Sequence, residues 1–317
     1  MTAKGRRVLR ALLFSGIAAG VALGLGWIIL ADRNPVYEYQ GPAPPGTGAL
    51  TTERPPRLAL VLGGGGPRGI AHIGVLKVLE KEGIVPDVIV GTSMGSVIGA
   101  LYGADPNAAR LERRALQISP WLQWRDLTLV SRPYLKGDAV EKMVREAVGA
   151  KTLGTLAIPL VAVATDVQLG VPFAFTRGDT AAAVRASSAI PGTFKRVMIA
   201  GREYFDGDFS APVPVRVARG LGAQVVIAVD VMSHPRDMPE EMRNYPELIL
   251  SDFYRHAINL RDLEQADVVI SPRLGYYSTW SRQQQQHDIL AGESAATGAL
   301  PAVRTALAGG GVAAPTR

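Results

Sequence analysis

The stretch that sets the fold runs from residue 58 to residue 69 and reads LALVL-GGGG-PRG. Its first five residues are continuously apolar, which predicts a β-strand buried on both faces of a sheet. Four consecutive glycines follow, and a helical pattern begins at Ile70. We therefore expect a strand, a tight glycine loop and a helix, an arrangement typical of an α/β fold.

The glycine loop has two possible uses. Gly64, Gly66 and Gly69 have the G-x-G-x-x-G spacing of a dinucleotide-binding loop. That use needs an acidic residue at the end of the next strand, where it would bind the ribose. Asp87 instead lies at the beginning of the next apolar run, 88–90, so the dinucleotide interpretation is disfavoured.

The second use of such a loop is an oxyanion hole. Backbone N–H groups can point at a developing negative charge where no side chain blocks them. Gly65 and Gly66 can donate in this way, whereas Pro67 has no N–H. A tight strand-to-helix turn alone would account for one or two glycines but hardly for four.

A second motif, Gly91-Thr92-Ser93-Met94-Gly95, reads G-x-S-x-G. It follows the predicted strand 88–90 and precedes a predicted helix, which is the context of a nucleophile elbow. In such an elbow Ser93 would be the nucleophile, and Gly91 and Gly95 would permit the sharp turn. The alternative is that Ser93 only caps the helix.

This reasoning alone does not identify the base that would activate Ser93. A triad would use His72, His234, His256 or His287. The other possibility is a carboxylate, because Asp206 ends an apolar stretch and is followed by a glycine.

The rest of the chain alternates between strand and helix patterns. Predicted strands are 58–62, 88–90, 160–164, 173–176, 196–199, 225–229 and 268–270. Predicted helices are 70–82, 94–103, 106–118, 138–148, 180–186, 214–220, 248–264 and 284–307, with Pro301 expected to break or kink the last one. Continuous apolar strands alternating with helices predict an α/β sheet covered on both faces.

Composition excludes several functions. The chain has no cysteine, so a disulfide framework and a cysteine nucleophile are excluded. The formal net charge is +6, but Lys4, Arg6, Arg7 and Arg10 supply four of those charges. The remaining surplus is too small for a nucleic-acid footprint, so we expect no nucleic-acid partner.

Residues 11–31 carry no charge and follow this basic segment, 1–10. A helix of that length would be about 30 Å long, enough to cross a bilayer. We therefore expect a single-pass anchor in the inner (cytoplasmic) membrane, with the rest of the chain on the periplasmic side. A cleaved signal peptide, and hence secretion, is the alternative. The Pro- and Gly-rich segment 32–56 is expected to be an irregular linker, 57–307 the folded domain, and 308–317 a flexible tail.

Taken together, the motifs resemble those of the bacterial branch of the patatin-like phospholipases. The resemblance rests on Gly64–Gly69, Gly91–Gly95 and Asp206-Gly207, in that order. Supporting stretches are 71–76, 164–166, 186–191 and 225–230, so the resemblance extends over about 57–307. It implies a three-layer α/β/α fold with a mainly parallel central sheet.

The resemblance also implies roles for particular residues. Ser93 would be the nucleophile and Asp206 the proton acceptor, without a histidine. The oxyanion hole would lie in the glycine loop, to which we assign Gly64, Gly65, Gly66, Arg68 and Gly69, and Gly91, Gly95, Gly207 and Asp208 would complete the motifs. Arg68 would either attract a lipid phosphate or stabilise the loop.

Asp208 departs from the family pattern, which has Gly or Ala after Asp-Gly. Facing Asp206, it would raise the pKa of that residue by like-charge repulsion. We expect it instead to face solvent or to make a loop hydrogen bond.

The resulting expectation is a membrane-tethered serine hydrolase that cleaves carboxylic esters of phospholipids or lysophospholipids without metal or cofactor. A histidine-triad carboxylesterase and a catalytically silent lipid-binding protein of the same fold are the alternatives. Asp166 and Asp230, which each end a predicted strand, are expected to be structural. The segment containing Trp121 and Trp124 is expected to pack against the rest of the fold, with a lid or a membrane-contacting patch as the alternative.

Overall fold

The computed structural model describes residues 36–38, 55–117, 127–128, 134–135, 137–276 and 279–309. The predicted strand before the glycine loop, 58–62, lies inside a nine-stranded sheet. The strands are β1 (Val36–Glu38), β2 (Leu58–Leu62), β3 (Val88–Thr92), β4 (Leu127–Thr128), β5 (Tyr134–Leu135), β6 (Leu160–Asp166), β7 (Pro172–Phe175), β8 (Arg196–Ile199), β9 (Arg202–Asp206), β10 (Val225–Val229) and β11 (Val268–Ile270). Strands β4 and β5 form a separate two-stranded pair.

Eight α-helices occur in this part of the chain. They are α1 (Ala71–Lys81), α2 (Met94–Ala104), α3 (Ala108–Gln117), α4 (Asp138–Val148), α5 (Thr180–Ser187), α6 (Val215–Gly220), α7 (Pro246–Leu263) and α8 (Arg282–Gly309). Short 3₁₀ turns, Gly66–Ile70 and Gly207–Phe209, follow the glycine loop and strand β9.

The strand order in the large sheet is β1-β8-β9-β6-β3-β2-β10-β11, with β7 paired to β6. Strands β6, β3, β2, β10 and β11 are parallel to one another along this order, and β1 is parallel to β8. Strands β7 and β9 run antiparallel to β6, and β8 is antiparallel to β9. The sheet is therefore mainly parallel, as predicted.

Both faces of the sheet are buried. On β2, Leu58, Leu60 and Leu62 belong to a core shared with helices α1, α2, α4, α5 and α8. Ala59 and Val61 point to the opposite face and share a second core with α6 and the end of α7. Successive residues of a strand point to opposite faces, so a strand between two helical layers must be apolar throughout. The predicted three-layer α/β/α fold with a mainly parallel central sheet is confirmed.

Most predicted elements lie within one or two residues of their predicted bounds. Strands β2, β8, β10 and β11 and helix α4 agree at both ends. Pro301 lies inside α8 and does not end it, so the expected break was wrong. Strand β9 was not predicted as a strand, because its Arg-Glu start interrupts the apolar pattern.

One short strand lies where an irregular linker was expected. Val36–Glu38 forms β1 and pairs parallel with Arg196–Met198 of β8. The prediction that 32–56 has no regular structure is therefore wrong for these three residues. The prolines of the segment flank the strand and do not interrupt it, which allows three residues to pair with the sheet edge.

The membrane prediction requires a correction. Across the described ranges, no helix has both the length and the apolar character needed to span a bilayer. The two longest helices, α7 and α8, contain charged residues along their length. The predicted anchor, 11–31, lies outside the described residues, as does the segment with Trp121 and Trp124. The predicted localisation as a single-pass inner-membrane protein is thus not supported.

Candidate active site

Ser93 occupies a strained turn between β3 and α2. Its backbone angles are φ 50° and ψ −123°, in a region that L-residues rarely adopt. A Cβ on Gly95 would lie 2.1 Å from the carbonyl oxygen of Leu62, and one on Gly91 would lie 2.7 Å from the backbone of Gly95. Only glycine fits at these two positions, so the backbone turns sharply and presents Ser93 at the start of the helix.

The backbone of this turn is held by a neighbouring serine. The N–H of Ser93 donates to Oγ of Ser187 at 3.0 Å, and Oγ of Ser187 donates to the carbonyl oxygen of Val163 at 2.6 Å. Helix α5, which ends at Ser187, thereby joins the elbow to strand β6. The Ser93 side chain makes no capping hydrogen bond to α2, so the helix-cap interpretation is wrong.

The side chain of Ser93 is directed to Asp206. Oγ of Ser93 donates to Oδ2 of Asp206 at 2.7 Å. The two residues are 113 positions apart in sequence and meet because β6 lies between their strands. Thr92 at the end of β3 pairs with Val163 of β6, and Asp206 at the end of β9 pairs with the next residue, Ala164. This register brings Ser93 and Asp206 together, although β3 is parallel to β6 and β9 is antiparallel to it.

Asp206 is almost completely buried. Burial raises the pKa of its carboxyl group to about 8, and the charge of Asp208 acts in the same direction. The N–H of Asp208, the hydroxyl of Ser93 and the charge of Arg255 oppose this increase. The hydrogen bond from Thr165 Oγ1 to the Asp206 carbonyl, 2.8 Å long, fixes the backbone below the carboxyl group.

Asp208 does not face solvent, so that expectation was wrong. Its carboxylate is mostly buried and forms an ion pair with Arg255 of α7. A Cβ on Gly64 would lie 1.8 Å from Oδ1 of Asp208, which places this carboxylate directly against the glycine loop. The turn beneath it is tight, because a Cβ on Gly207 would lie 2.2 Å from the carbonyl oxygen of Val163.

The predicted oxyanion residues differ in what their N–H groups contact. The N–H of Gly64 donates to the carbonyl oxygen of Pro212 at 2.9 Å, and the N–H of Arg68 donates to the carbonyl oxygen of Gly65 at 3.3 Å. Among the described residues, the N–H groups of Gly65 and Gly66 have no hydrogen-bond partner. The last residue of the predicted set, Gly69, packs against the side chain of Met94.

The side chain of Arg68 links the glycine loop to two other segments of the chain. Its guanidinium donates to the carbonyl oxygens of Val231 and Tyr276, each at 3.0 Å. Burial and the nearby Arg255 lower the pKa of this guanidinium. Of the two roles considered for Arg68, these contacts favour stabilisation of the loop.

None of the four histidines forms a hydrogen bond with Ser93. His72 is fully buried, and its Nε2 is 2.8 Å from the carbonyl oxygen of Gly63. Burial lowers the pKa of the His72 imidazole to about 4. His234 and His256 face each other with ring centroids 5.7 Å apart, and His287 contacts Asp288. The geometry therefore gives no support to a histidine triad.

The remaining acidic candidates have structural contacts. Asp87 accepts the N–H of Leu58 at 2.8 Å, at the beginning of β3 and not at its end. Asp166 accepts two backbone N–H groups of the turn that follows β6. Asp230 accepts the N–H of Met232 and the side-chain amide of Asn259. The predicted structural roles of Asp166 and Asp230 are confirmed.

Sequence reasoning missed Arg255. It lies 47 residues from Asp208, in a helix whose polar positions look like an ordinary solvated face. The sequence indicated this role only through the spacing of polar residues, which recur every three or four positions and so share one helix face: Asp252, Arg255, Asn259 and Asp262.

Comparison with known proteins identifies a matching family model and related sequences. A family model described as patatin-like phospholipase matches residues 60–219. An uncharacterized NTE family protein of Mycobacterium tuberculosis is 37% identical over 181 residues, which are 56% of this chain and 49% of that protein. Human patatin-like phospholipase domain-containing protein 6 is 36% identical over 186 residues, covering 56% of this chain and 13% of that protein. The lysophospholipase nte1 of Aspergillus fumigatus is 35% identical over 188 residues, covering 58% and 12%.

The chain spans half or less of the length of these curated relatives. Among solved structures, the type III effector ExoU has a TM-score of 0.43 and 16% identity, covering 80% of this chain and 54% of that one. VipD from Legionella pneumophila has a TM-score of 0.44 and 14% identity, covering 77% and 66%. The family model matches half of the sequence, and the matched part includes the glycine loop, the serine elbow and the Asp206 turn. The chain belongs to the patatin-like phospholipase family.

Proposed function

We propose that the protein hydrolyses carboxylic ester bonds of phospholipids or lysophospholipids, with Ser93 as nucleophile and Asp206 as base. The observation that carries this proposal is the 2.7 Å hydrogen bond from Ser93 Oγ to Asp206 Oδ2 within a strained elbow. A nucleophile must be within hydrogen-bond reach of its base, and this pair meets that requirement without further movement.

In the first half-reaction, Oγ of Ser93 attacks the ester carbonyl carbon while its proton passes to Asp206. Attack forms a tetrahedral intermediate with a negative oxygen. The N–H groups of Gly65 and Gly66, which have no partner among the described residues, are available to donate to that oxygen. A donor of this kind contributes roughly 3–4 kcal/mol to the transition state. Asp206 then returns the proton to the leaving alcohol, and the acyl group stays on Ser93.

In the second half-reaction, water replaces the alcohol. Asp206 accepts a proton from the water as it attacks the acyl carbonyl, and the proton then passes to Ser93 Oγ as the fatty acid leaves. An ordinary aspartate, with a pKa near 3.9, is a weak base toward an alcohol. Burial raises the pKa of Asp206 to about 8, which makes the ionised carboxylate a much stronger base.

Family membership and the lysophospholipase named among the relatives support a lipid substrate. We infer that the protein acts on lipid presented by a membrane or micelle. The catalytically silent alternative predicts the same fold without turnover, so activity separates the two.

The test uses the full chain as wild type, Ser93→Ala and Asp206→Asn, on a p-nitrophenyl ester and on phosphatidylcholine vesicles containing lysophosphatidylcholine. Both variants should lose at least about 100-fold in kcat while remaining folded. Asp166→Asn is the matched control, since it changes another buried strand-end aspartate and should keep turnover. Glutamine variants of His72, His234, His256 and His287 test the triad.

A fluorophosphonate probe should label wild type at Ser93. Mass spectrometry of the released products would then assign the bond that is cleaved. Full activity of Ser93→Ala, or loss of activity only in a histidine variant, would contradict the proposal. Inert wild type that still binds the vesicles would favour the silent lipid-binding protein.

A further inference from the structure

We propose that Arg255 is a positioning residue for the reaction, acting through Asp208 to hold the turn that carries Asp206 and the glycine loop in register. This inference rests on the proposed function of Ser93 and Asp206. Asp208 occupies a position where the family pattern has a small residue, and the charge that balances it comes from a distant helix, α7.

The turn itself orients the base. The N–H of Asp208 donates to Oδ1 of Asp206 at 2.9 Å, whereas Oδ2 accepts the hydroxyl of Ser93. Each carboxylate oxygen of Asp206 therefore accepts a hydrogen bond from a different donor, which fixes the orientation of the carboxyl group. A shift of the Asp208 backbone would release Oδ1 and allow the carboxyl group to rotate away from Ser93.

The carboxylate of Asp208 also contacts the other half of the site. The Cβ position of Gly64 lies 1.8 Å from Oδ1 of Asp208 and 3.2 Å from Cβ of Ser93. Asp208 therefore fills the space beside Gly64, next to the loop that carries Gly65 and Gly66. A single buried carboxylate touches both the base turn and the proposed oxyanion loop.

Arg255 is held in place by its helix. Four polar residues of α7 point into the protein, and each contacts a different segment. Asp252 accepts the hydroxyl of Tyr276, Arg255 pairs with Asp208, Asn259 donates to Asp230, and Asp262 pairs with Arg216. Because the polar face of α7 is inward, its rotation is fixed by these contacts, and so is the position of the guanidinium.

The charges around the pair nearly balance. Arg255 is surrounded by Asp208, Asp252 and Asp206, and Arg68 of the glycine loop is the nearby cation. The phenol of Tyr276 is engaged by Asp252, and His256, next to Arg255 in sequence, faces His234. An unpaired buried charge is costly, so removal of either partner should displace the other from this position.

The two partners act on Asp206 with opposite sign. The charge of Asp208 raises the pKa of Asp206 and that of Arg255 lowers it. Removing one charge at a time should therefore move the acidic limb of the activity profile in opposite directions. A pair that served stability alone would leave the midpoint of that limb unchanged.

The experiment compares Arg255→Met, Asp208→Asn and the double variant Asp208→Gly/Arg255→Met with wild type, measuring kcat and KM for a p-nitrophenyl ester across pH. Arg255→Met should lower kcat by at least about tenfold with KM within about twofold, and raise the acidic midpoint by about one pH unit. Asp208→Asn should lower that midpoint. The double variant should recover kcat relative to Arg255→Met, because no buried charge is left unpaired.

Arg216→Met is the matched control, since it breaks another ion pair of α7 that does not contact the site. It should lower the melting temperature without moving the pH profile. Midpoints that stay fixed in both single variants, or a double variant no better than Arg255→Met, would overturn the inference.

Two further measurements keep the inference separate from the proposed function. If wild type lacks esterase activity, the proposed function fails. Infrared titration of the protonated Asp206 carbonyl, assigned by its loss in Asp206→Asn, still reports the opposite shifts in the two variants. If Arg255→Met does not fold, Arg255→Lys and Asp208→Asn provide a different test: Asp208→Asn should lower the midpoint, whereas Arg255→Lys, which keeps the positive charge, should leave it at the wild-type value.

Discussion

Asp208 influences Asp206 in two opposing ways. The backbone N–H of Asp208 donates to Oδ1 of Asp206 at 2.9 Å, which stabilises the ionised form of Asp206. The negative charge of the Asp208 side chain acts against this, because it repels a charge on Asp206. Burial adds to the second effect and dominates. The carboxyl group beside the proposed nucleophile therefore has a pKa raised above that of an ordinary aspartate.

The activity profile should reflect this. Asp206 must be ionised to accept a proton from Ser93, so kcat/KM is expected to rise with pH through a midpoint near the pKa of about 8. The check is kcat/KM for a p-nitrophenyl ester, corrected for spontaneous hydrolysis at each pH. A profile that is flat from about pH 5 upward would show an Asp206 with an ordinary pKa.

Gly64→Ala should be strongly inactivating. The new Cβ would lie 1.8 Å from Oδ1 of Asp208, which Arg255 holds in place, so the glycine loop must move. A displacement of about 1 Å in a catalytic group costs about 100-fold in rate. Turnover of purified Gly64→Ala is the measurement.

A second variant identifies the cause. Asp208→Gly removes the clashing carboxylate, so the double variant Gly64→Ala/Asp208→Gly should recover more activity than Gly64→Ala retains. No recovery would place the damage in the 3.2 Å contact with Cβ of Ser93 instead.

Ser187→Ala should weaken the elbow. It removes the acceptor of the Ser93 N–H and leaves this buried donor without a hydrogen bond. An unsatisfied buried N–H costs about 1–3 kcal/mol, and we expect the free energy of unfolding to fall by that amount. Urea denaturation measures this loss, and kcat should fall as well because the nucleophile is less well held. Unchanged kcat in Ser187→Ala would show that the elbow keeps its shape without this bond.

His72→Gln should change how stability depends on pH. The folded-state pKa of His72 is about 4, below the value of about 6.5 expected in the unfolded chain. Its contribution to stability is thus present above pH 6.5 and is lost as the pH falls toward 4. Glutamine can still donate to the carbonyl of Gly63 but does not titrate. Melting temperatures measured between these limits should fall less steeply in His72→Gln than in wild type.

Asp206→Asn should stabilise the protein at alkaline pH. The folded-state pKa of Asp206 is raised, so the folded state binds this proton more tightly than the unfolded chain does. Stability is then lost as the pH rises from about 4 to about 8, because over this range the residue ionises in the unfolded chain but stays protonated in the folded state. Near pH 9 the variant should exceed wild type by at least about 1 kcal/mol. Equal stabilities there would indicate that the buried charge is already well compensated.

Local sequence predicted the parts of the site that depend on neighbouring residues. Continuous apolar runs gave β2 and β10 at their observed bounds, because a strand buried on both faces has no polar position. The elbow was predictable because Gly91 and Gly95 must avoid backbone atoms close to them in the fold. The prediction that Pro301 breaks the last helix was wrong, because the packing of this long helix outweighs the tendency of proline to end a helix.

What the sequence by itself determined is the alternation of strands and helices, the glycine loop, the turn at Ser93 and the family resemblance that pointed to Asp206. These follow from contacts between residues close in the chain or from whole motifs. The tertiary structure decided that Asp208 faces inward and that Arg255 balances it from α7. Charge pairing across 47 residues depends on how helices pack over the sheet, and no periodicity within either segment specifies its partner.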